Sequence, residues 1–272
     1  MLYSNRDKPW ALVTGASSGI GKEFARQFAA KGFNIVLLAR REHLLKALAE
    51  ELEDHYGVQT RIVVADLAQD NFREKISSVI DDIQIELLVN NAGMPDPKSF
   101  FDDQVEDQLA VLQVNLTASI LLTRYFGEKM RQRQKGGIIF VSSAVGYAPA
   151  ALGGTMYATT KAALTMLGNS IYQEMKPYDV TVLTVSPGLV RTEILSRLVE
   201  KNSFLFRMFS MDSKTLVKKA LKAFGKKPYT TPGWHKIVVA AVMLIRALLP
   251  SVIVGAIWTF LRRFNNRATN YN

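Results

Sequence analysis

The chain has 272 residues, a formal net charge of +10, no cysteine and three histidines, with 48% hydrophobic and 21% charged residues. That much apolar material excludes a disordered or collagen-like chain, and the lack of cysteine excludes disulfides, thiolate nucleophiles and thiolate metal sites. His43, His55 and His235 stand too far apart for metal-ligand spacing, so no metal is expected.

The opening segment MLYSNRDKPW is short and polar and does not read as a signal peptide, which places the body on the cytoplasmic side of any membrane. Ala11-Leu12-Val13 is an apolar strand that breaks at a glycine loop, and Gly21 to Ala30 has helical spacing. Asn34 to Ala39 reads as a buried strand and Glu42 to His55 as a helix; Arg61 to Ala65 and Glu86 to Val89 are further strand-like runs. About Asp103 to Arg131 reads as one long helix, Gly137 to Val141 as a strand, Tyr157 to Glu174 as a helix and Val180 to Val185 as a strand. Strands that are apolar throughout are buried on both faces. Alternating with helices, they predict an α/β fold, a doubly wound parallel sheet of Rossmann type with helices on both faces.

After Pro187 the pattern loosens. Residues 1–233 are expected to form this domain, with a substrate lid at about 189–225 in which Asp212-Ser213 opens a helix to about Phe224. Residues 234–272 form an apolar and basic C-terminal helical segment. Charge divides the same way: residues 1–195 hold 20 Lys and Arg against 22 acids, and residues 196–272 hold 14 against 2. Ile237 to Leu261 carries one charge, Arg246, and is interrupted by Pro250. Cations beside an apolar run fit a membrane surface better than nucleic acid, through a shallow hairpin or two interfacial helices; a helix pair packed on the protein is the alternative.

The glycine loop, Val13-Thr14-Gly15-Ala16-Ser17-Ser18-Gly19-Ile20-Gly21, lies between the first strand and the first helix. A dinucleotide pyrophosphate needs bare backbone amides at a helix start, and glycines let it approach. Ala39-Arg40-Arg41 ends the second strand, where an acid would repel a 2′-phosphate and an arginine would hold one. NADP(H) is therefore the expected cofactor, with NAD(H) the alternative, and Arg40 is the residue assigned to the choice. Tyr157 and Lys161 are four apart on a predicted helix and share a face. A neighbouring ammonium is expected to lower the phenol pKa into the range useful for proton transfer.

Thr-Gly-x-x-x-Gly-x-Gly, followed in order by Asp66-Leu67, Asn90-Asn91-Ala92-Gly93, Asn115, Ser143, Tyr157-x-x-x-Lys161 and Pro187-Gly188, resembles the short-chain dehydrogenase/reductase family over about residues 8 to 195. Within it, the chain looks like the membrane-associated branch with 11β-hydroxysteroid dehydrogenases and long-chain 3-ketoacyl-CoA reductases. The resemblance implies an NAD(P)-dependent oxidoreductase that reduces a carbonyl, or oxidises a secondary alcohol, on an apolar substrate such as a steroid or 3-ketoacyl chain. It also implies a homo-oligomer, dimer or tetramer. The implied catalytic residues are Tyr157 as acid/base, Lys161 as its tuner and ribose anchor, Ser143 as carbonyl positioner and Asn115 as holder of a water. Cofactor contacts are implied for Gly15, Ser17, Ser18, Gly19, Ile20, Gly21, Arg40, Asp66, Leu67, Asn91, Ala92, Gly93, Tyr157, Lys161, Pro187, Gly188 and Thr192. Two departures stand out. Ser18 occupies a place where many NADP-using relatives have a basic residue, and the Ser143–Tyr157 spacing is one residue longer than usual. The rival reading is a nucleotide-sensing or scaffolding protein on the same fold, without turnover.

Overall fold

The computed structural model describes residues 8–96, 98–147, 154–192 and 210–233. The lid residues Leu195 to Phe209 and the apolar run 237–261 lie outside the described residues. Seven parallel strands form one sheet in the order β3-β2-β1-β4-β5-β6-β7. They are β1 (Trp10–Thr14), β2 (Asn34–Ala39), β3 (Thr60–Val64), β4 (Ile85–Asn90), β5 (Gly136–Val141), β6 (Val180–Val185) and β7 (Tyr229–Thr230). The helices are α1 (Gly19–Ala29), α2 (Glu42–Tyr56), α3 (Phe72–Ile80), α4 (Val105–Leu112), α5 (Ala118–Gln132), α6 (Thr155–Met175) and α7 (Ser213–Ala223).

Successive strand residues feed opposite cores. On β1, Leu12 belongs to the cluster that also holds Val36, Leu88, Ile138 and Phe140, together with Phe126 of α5 and Leu164 of α6. Its neighbours Ala11 and Val13 belong to the other cluster, with Phe24 of α1, Leu48 of α2 and Val217 of α7. Period-two alternation between two apolar layers explains why these strands read as continuous hydrophobic runs.

Three elements differ from the sequence reading, the shortest being the two-residue edge strand β7, which in the sequence is only a stretch punctuated by Pro and Gly. α3, carrying Phe72, Ile76 and Ile80 on its buried face, was not expected: only one side of nine residues is apolar, and Arg73, Glu74 and Lys75 intervene. The long helix at 103–131 is present as Val105–Gln132 but contains a π-turn at Gln113–Thr117, where the Ala118 N–H bonds back to Gln113 O. Among the described residues this is the one helix long and apolar enough to cross a membrane. It packs along β4 and β5 as a core element of the sheet.

The chain reverses direction across the sheet between β1 and β4, whose C-terminal ends open a crevice. In doubly wound sheets ligands bind at that switch point.

Candidate active site

The loop between β1 and α1 is fixed from several sides. Gly15 has φ +67°, in the left-handed region open to glycine, and a Cβ there would meet Ala92 Cα at 2.9 Å. A Cβ on Gly21 would collide with the Gly15 carbonyl, so this glycine lets α1 start directly against the turn. Thr14 Oγ1 donates to Val89 O and accepts from the N–H groups of Asn91 and Ala92, each at 2.9 Å. The Asn91 amide donates to Thr14 O at 2.8 Å. The strand-end residues Asn91, Ala92 and Gly93 are thereby bound to the loop holding Gly15, Gly19 and Gly21.

α1 has no acid in its first turn and no side-chain cap, although Ser18 stands at the capping position. The reason is Arg41. Its guanidinium donates to Ser17 Oγ at 3.0 Å and to Ser18 Oγ at 2.8 Å, drawing the hydroxyl away from the helix amides. The first amides of α1, those of Gly19, Ile20 and Gly21 among them, keep their positive end without an internal acceptor. Uncapped amides, a cation beside them and glycines in place of side chains fit a dinucleotide diphosphate.

Arg41 was passed over at the sequence level in favour of its neighbour. Arg40 points outward, its side chain 68% exposed, with Nη1 3.8 Å from Asp66 Oδ2. Asp66 Oδ1 accepts from Ala68 N at 3.0 Å, while Leu67 is buried in the core. Ser18 thus meets in Arg41 a cation that lies 23 residues away in sequence. Thr192 lies over the loop, its Cγ2 3.2 Å from where a Gly19 Cβ would stand. Pro187 O accepts from Ala144 N at 2.7 Å and so fixes Pro187-Gly188 beside Ser143.

The other half of the crevice is carried by β5 and α6. Ser142 and Ser143 follow β5 and point in different directions. Ser142 Oγ donates to Lys161 O at 2.7 Å and meets Thr165 Oγ1 at 2.7 Å, tying α6 to the strand end. Ser143 stands beside the Tyr157 hydroxyl, near enough to act on its ionisation. Lys161 is 3% exposed, and its Nζ donates to Val141 O at 2.8 Å. Asn115 is fully buried in the π-turn. Its Oδ1 accepts from Met94 N at 2.7 Å, and its amide donates to Met94 O at 3.0 Å and Thr160 Oγ1 at 3.1 Å. A Cβ on Gly93 would lie 3.4 Å from Lys161 Nζ and 3.7 Å from Asn115 Oδ1, so all three residues flank one spot.

The electrostatics correct one expectation. Burial pushes the Tyr157 phenol above its ordinary range, and neighbouring Ser143 opposes this; Lys161 is not among the groups that move it. Burial lowers Lys161 to about 8. Its ammonium lies 5.7 Å from the Tyr157 ring centroid and is directed at a carbonyl rather than at the phenol oxygen. In the protein alone, desolvation of both groups outweighs their mutual attraction.

A second residue escaped the sequence reading. α6 starts from Gly154, which has no side chain to cap with, and the buried Asp96 carboxylate accepts from Met156 N at 2.9 Å instead. The acid stands 60 positions earlier, so no local capping signature announces it.

A nucleotide-binding switch point facing a Ser, Tyr and Lys at the same sheet edge defines a nicotinamide-dependent oxidoreductase. Residues 9–203 match the short chain dehydrogenase family, and the chain belongs to it. Over 250 residues it is 32% identical to the very-long-chain 3-oxoacyl-CoA reductase of Meyerozyma guilliermondii, covering 85% of this chain and 71% of that one. The Rattus norvegicus very-long-chain 3-oxoacyl-CoA reductase is 31% identical over 264 residues, 95% of this chain and 81% of its own. A short-chain dehydrogenase from Sphingobium yanoikuyae, solved in complex with NADPH, superposes with a TM-score of 0.76 at 30% identity, covering 89% of this chain and 96% of that one.

Proposed function

We propose that the protein is an NADP(H)-dependent reductase of a long apolar 3-oxoacyl thioester, working at a membrane surface. The observation that carries the reaction is the placement of Ser143 against the Tyr157 hydroxyl at the C-terminal edge of β5, with the buried Lys161 ammonium beside Gly93. When bound, the nicotinamide supplies the hydride that reduces the carbonyl carbon. Ser143 hydrogen-bonds the carbonyl oxygen and orients it toward Tyr157. Tyr157 gives that oxygen its phenolic proton, and the product is a secondary alcohol. Lys161 would hold the ribose hydroxyls of the bound cofactor and would stabilise the phenolate left behind. The resulting anion brings the Tyr–Lys pair into the mutual attraction that the protein alone does not develop. The π-turn at Asn115, facing Lys161 across Gly93, supports a water there through which the proton is replaced.

Arg41 supports NADP(H) over NAD(H), because a guanidinium already joined to Ser17 and Ser18 meets a 2′-phosphate without reorganisation. The apolar substrate is supported by the lid residues Leu195, Leu198, Phe204, Phe206 and Phe209, and the membrane surface by 237–261. The 3-oxoacyl class rests on the two relatives above. A panel of 3-oxoacyl-CoA, steroid and retinoid substrates, each followed by NADPH and NADH absorbance, tests the reading. Faster turnover of long 3-oxoacyl-CoA with NADPH is expected; a steroid turned over better, or no consumption by any member, refutes it.

A further inference from the structure

Charge is distributed unevenly over the described surface. Around the sheet, many cations sit beside acids, as Arg26 does with Glu51, Lys46 with Glu42, Arg61 with Asp82, Lys98 with Asp103 and Arg131 with Glu128. Those without a described ion pair, such as Lys31, Arg73, Lys75 and Lys176, are spread over several elements. α7 breaks that habit. Lys214, Lys218, Lys219 and Lys222 lie on it, Lys226 and Lys227 follow it, and all six are exposed. None makes an ion pair with any described residue. The one acid between residues 210 and 233 is Asp212. Its carboxylate is occupied at the helix start, accepting from Thr215 N at 2.8 Å and facing Arg191 at 3.8 Å.

Helical geometry sorts these residues into two faces. Leu216, Val217 and Ala220 are buried, and α7 packs against α1. Lys214, Lys218 and Lys222, spaced by four, form a row on the opposite side with Lys219 next to it. A row of unpaired like charges raises its own free energy unless something anionic covers it. From α7 the chain passes into β7, where Ser186 N donates to Thr230 O at 2.9 Å, so β7 ends beside the C-terminal end of β6. Beyond Gly233 come 39 further residues, among them the run 237–261 with its single charge. The described chain therefore ends shortly after β7, at the sheet edge that carries the active site, and the apolar run follows in sequence.

Charge alone would suit a nucleic acid or an acidic protein as well. The apolar run that follows selects a lipid surface, which offers anionic headgroups and hydrocarbon side by side. We infer that the lysine face of α7 is a docking surface for anionic lipid headgroups. This deepens the membrane reading proposed above by assigning its electrostatic half to residues outside the apolar run.

The test uses the full chain in flotation with phosphatidylcholine vesicles, with and without phosphatidylserine. Phosphatidylserine is expected to strengthen binding and added salt to weaken it. Lys214→Gln/Lys218→Gln/Lys222→Gln should reduce partition to anionic vesicles by on the order of tenfold or more. Binding to neutral vesicles and the urea midpoint should stay as in the parent protein. Lys226→Gln/Lys227→Gln gives an independent, smaller loss. If partition ignores phosphatidylserine, or the triple variant floats like the parent, the proposal falls while the membrane reading stands on 237–261. A chain that floats on neither vesicle removes both. Preferential capture by RNA over anionic vesicles, lost in the triple variant, also overturns it.

Discussion

The two sides of the crevice are prepared to different degrees. On the nucleotide side the contacts are closed: Thr14 bonds three backbone groups, Asn91 grips the glycine turn, and Arg41 is joined to both loop serines. Backbone conformation and neutral donors do most of this, and neither depends on the charge state of the site. On the catalytic side the positions are equally fixed, yet the charges are held back. Desolvation raises Tyr157 and lowers Lys161, so each is biased toward its neutral form. A site of this kind keeps its geometry while leaving its acid–base pair dependent on what binds beside it. The glycine loop is a rigid receptor, and the Tyr–Lys pair is an ionisable device that the receptor completes.

The sharpest way to separate the two sides is Tyr157→Phe. Removing the proton donor is expected to lower kcat by about 10²- to 10⁴-fold, the usual contribution of a positioned general acid. The NADPH dissociation constant, read by fluorescence titration, should change little because most of the nucleotide contacts lie on the other side and Lys161 is kept. Turnover near the parent value would show that another group delivers the proton.

Lys161 tests the electrostatic half through stability. Its pKa in the folded chain is about 8, against an ordinary lysine value of 10.5. Between those values the unfolded chain binds more protons than the folded one, so folding stability rises with pH across that window. The rise amounts to about 3 kcal/mol, with the stability lowest below pH 8. The Tyr157 phenol, raised by burial, stays neutral in both states up to about pH 9, and nearer pH 10 its unfolded form ionises first and opposes the rise, so the window to read is about pH 8 to 9. Lys161→Met should abolish turnover yet unfold at the same or a higher urea concentration near neutrality, since it removes a buried charge. It should also lose the pH-dependent rise. An identical rise in parent and variant would show that the ammonium is not desolvated.

On the nucleotide side the expected effect is smaller and confined to cofactor choice. Arg41→Ala removes a charge-assisted contact of about 1.5 to 3 kcal/mol. NADPH affinity should fall by roughly ten- to a hundredfold, with NADH affinity nearly unchanged. Arg40→Ala, which frees an exposed side chain paired only at 3.8 Å, should do less. A larger loss from Arg40 than from Arg41 would reverse the assignment and restore the one the sequence alone supports.

What the sequence revealed and what it hid follow one physical rule. The sheet strands were legible because both faces of each are apolar, and the glycine loop because a short stretch of backbone needs glycines in fixed order. Tyr157 and Lys161 were legible because one helix carries both. The α3 helix, with three buried residues in nine, gave too weak a period to rise above its charged neighbours. The π-turn at Asn115 has no compositional mark. Arg41 and Arg40 are adjacent and chemically identical, and only the fold decides that one turns toward Ser18 and the other outward. The direction of the Tyr157 shift was misread for a related reason. Spacing announces that Lys161 is near, but desolvation depends on everything packed around the pair.

Asp96 lies between the two sides and gives the smallest effect expected here. Its carboxylate, 7% exposed, accepts from the first turn of α6, a helix that starts at a glycine and has no cap of its own. The loop that holds it leaves Gly93, whose neighbour Met94 is clamped by Asn115. One side chain thus joins the strand end that walls the crevice to the helix that carries Tyr157. Replacing a helix N-terminal acceptor by alanine costs about 1 kcal/mol. Asp96→Ala should therefore lower the urea midpoint modestly and reduce kcat severalfold, with the NADPH dissociation constant held within about twofold. Asp96→Asn keeps an acceptor oxygen at the same place and should recover most of kcat. Were both variants to weaken NADPH binding equally, the carboxylate would belong to the nucleotide receptor, and the division between a rigid side and an ionisable side would have to be redrawn through β4.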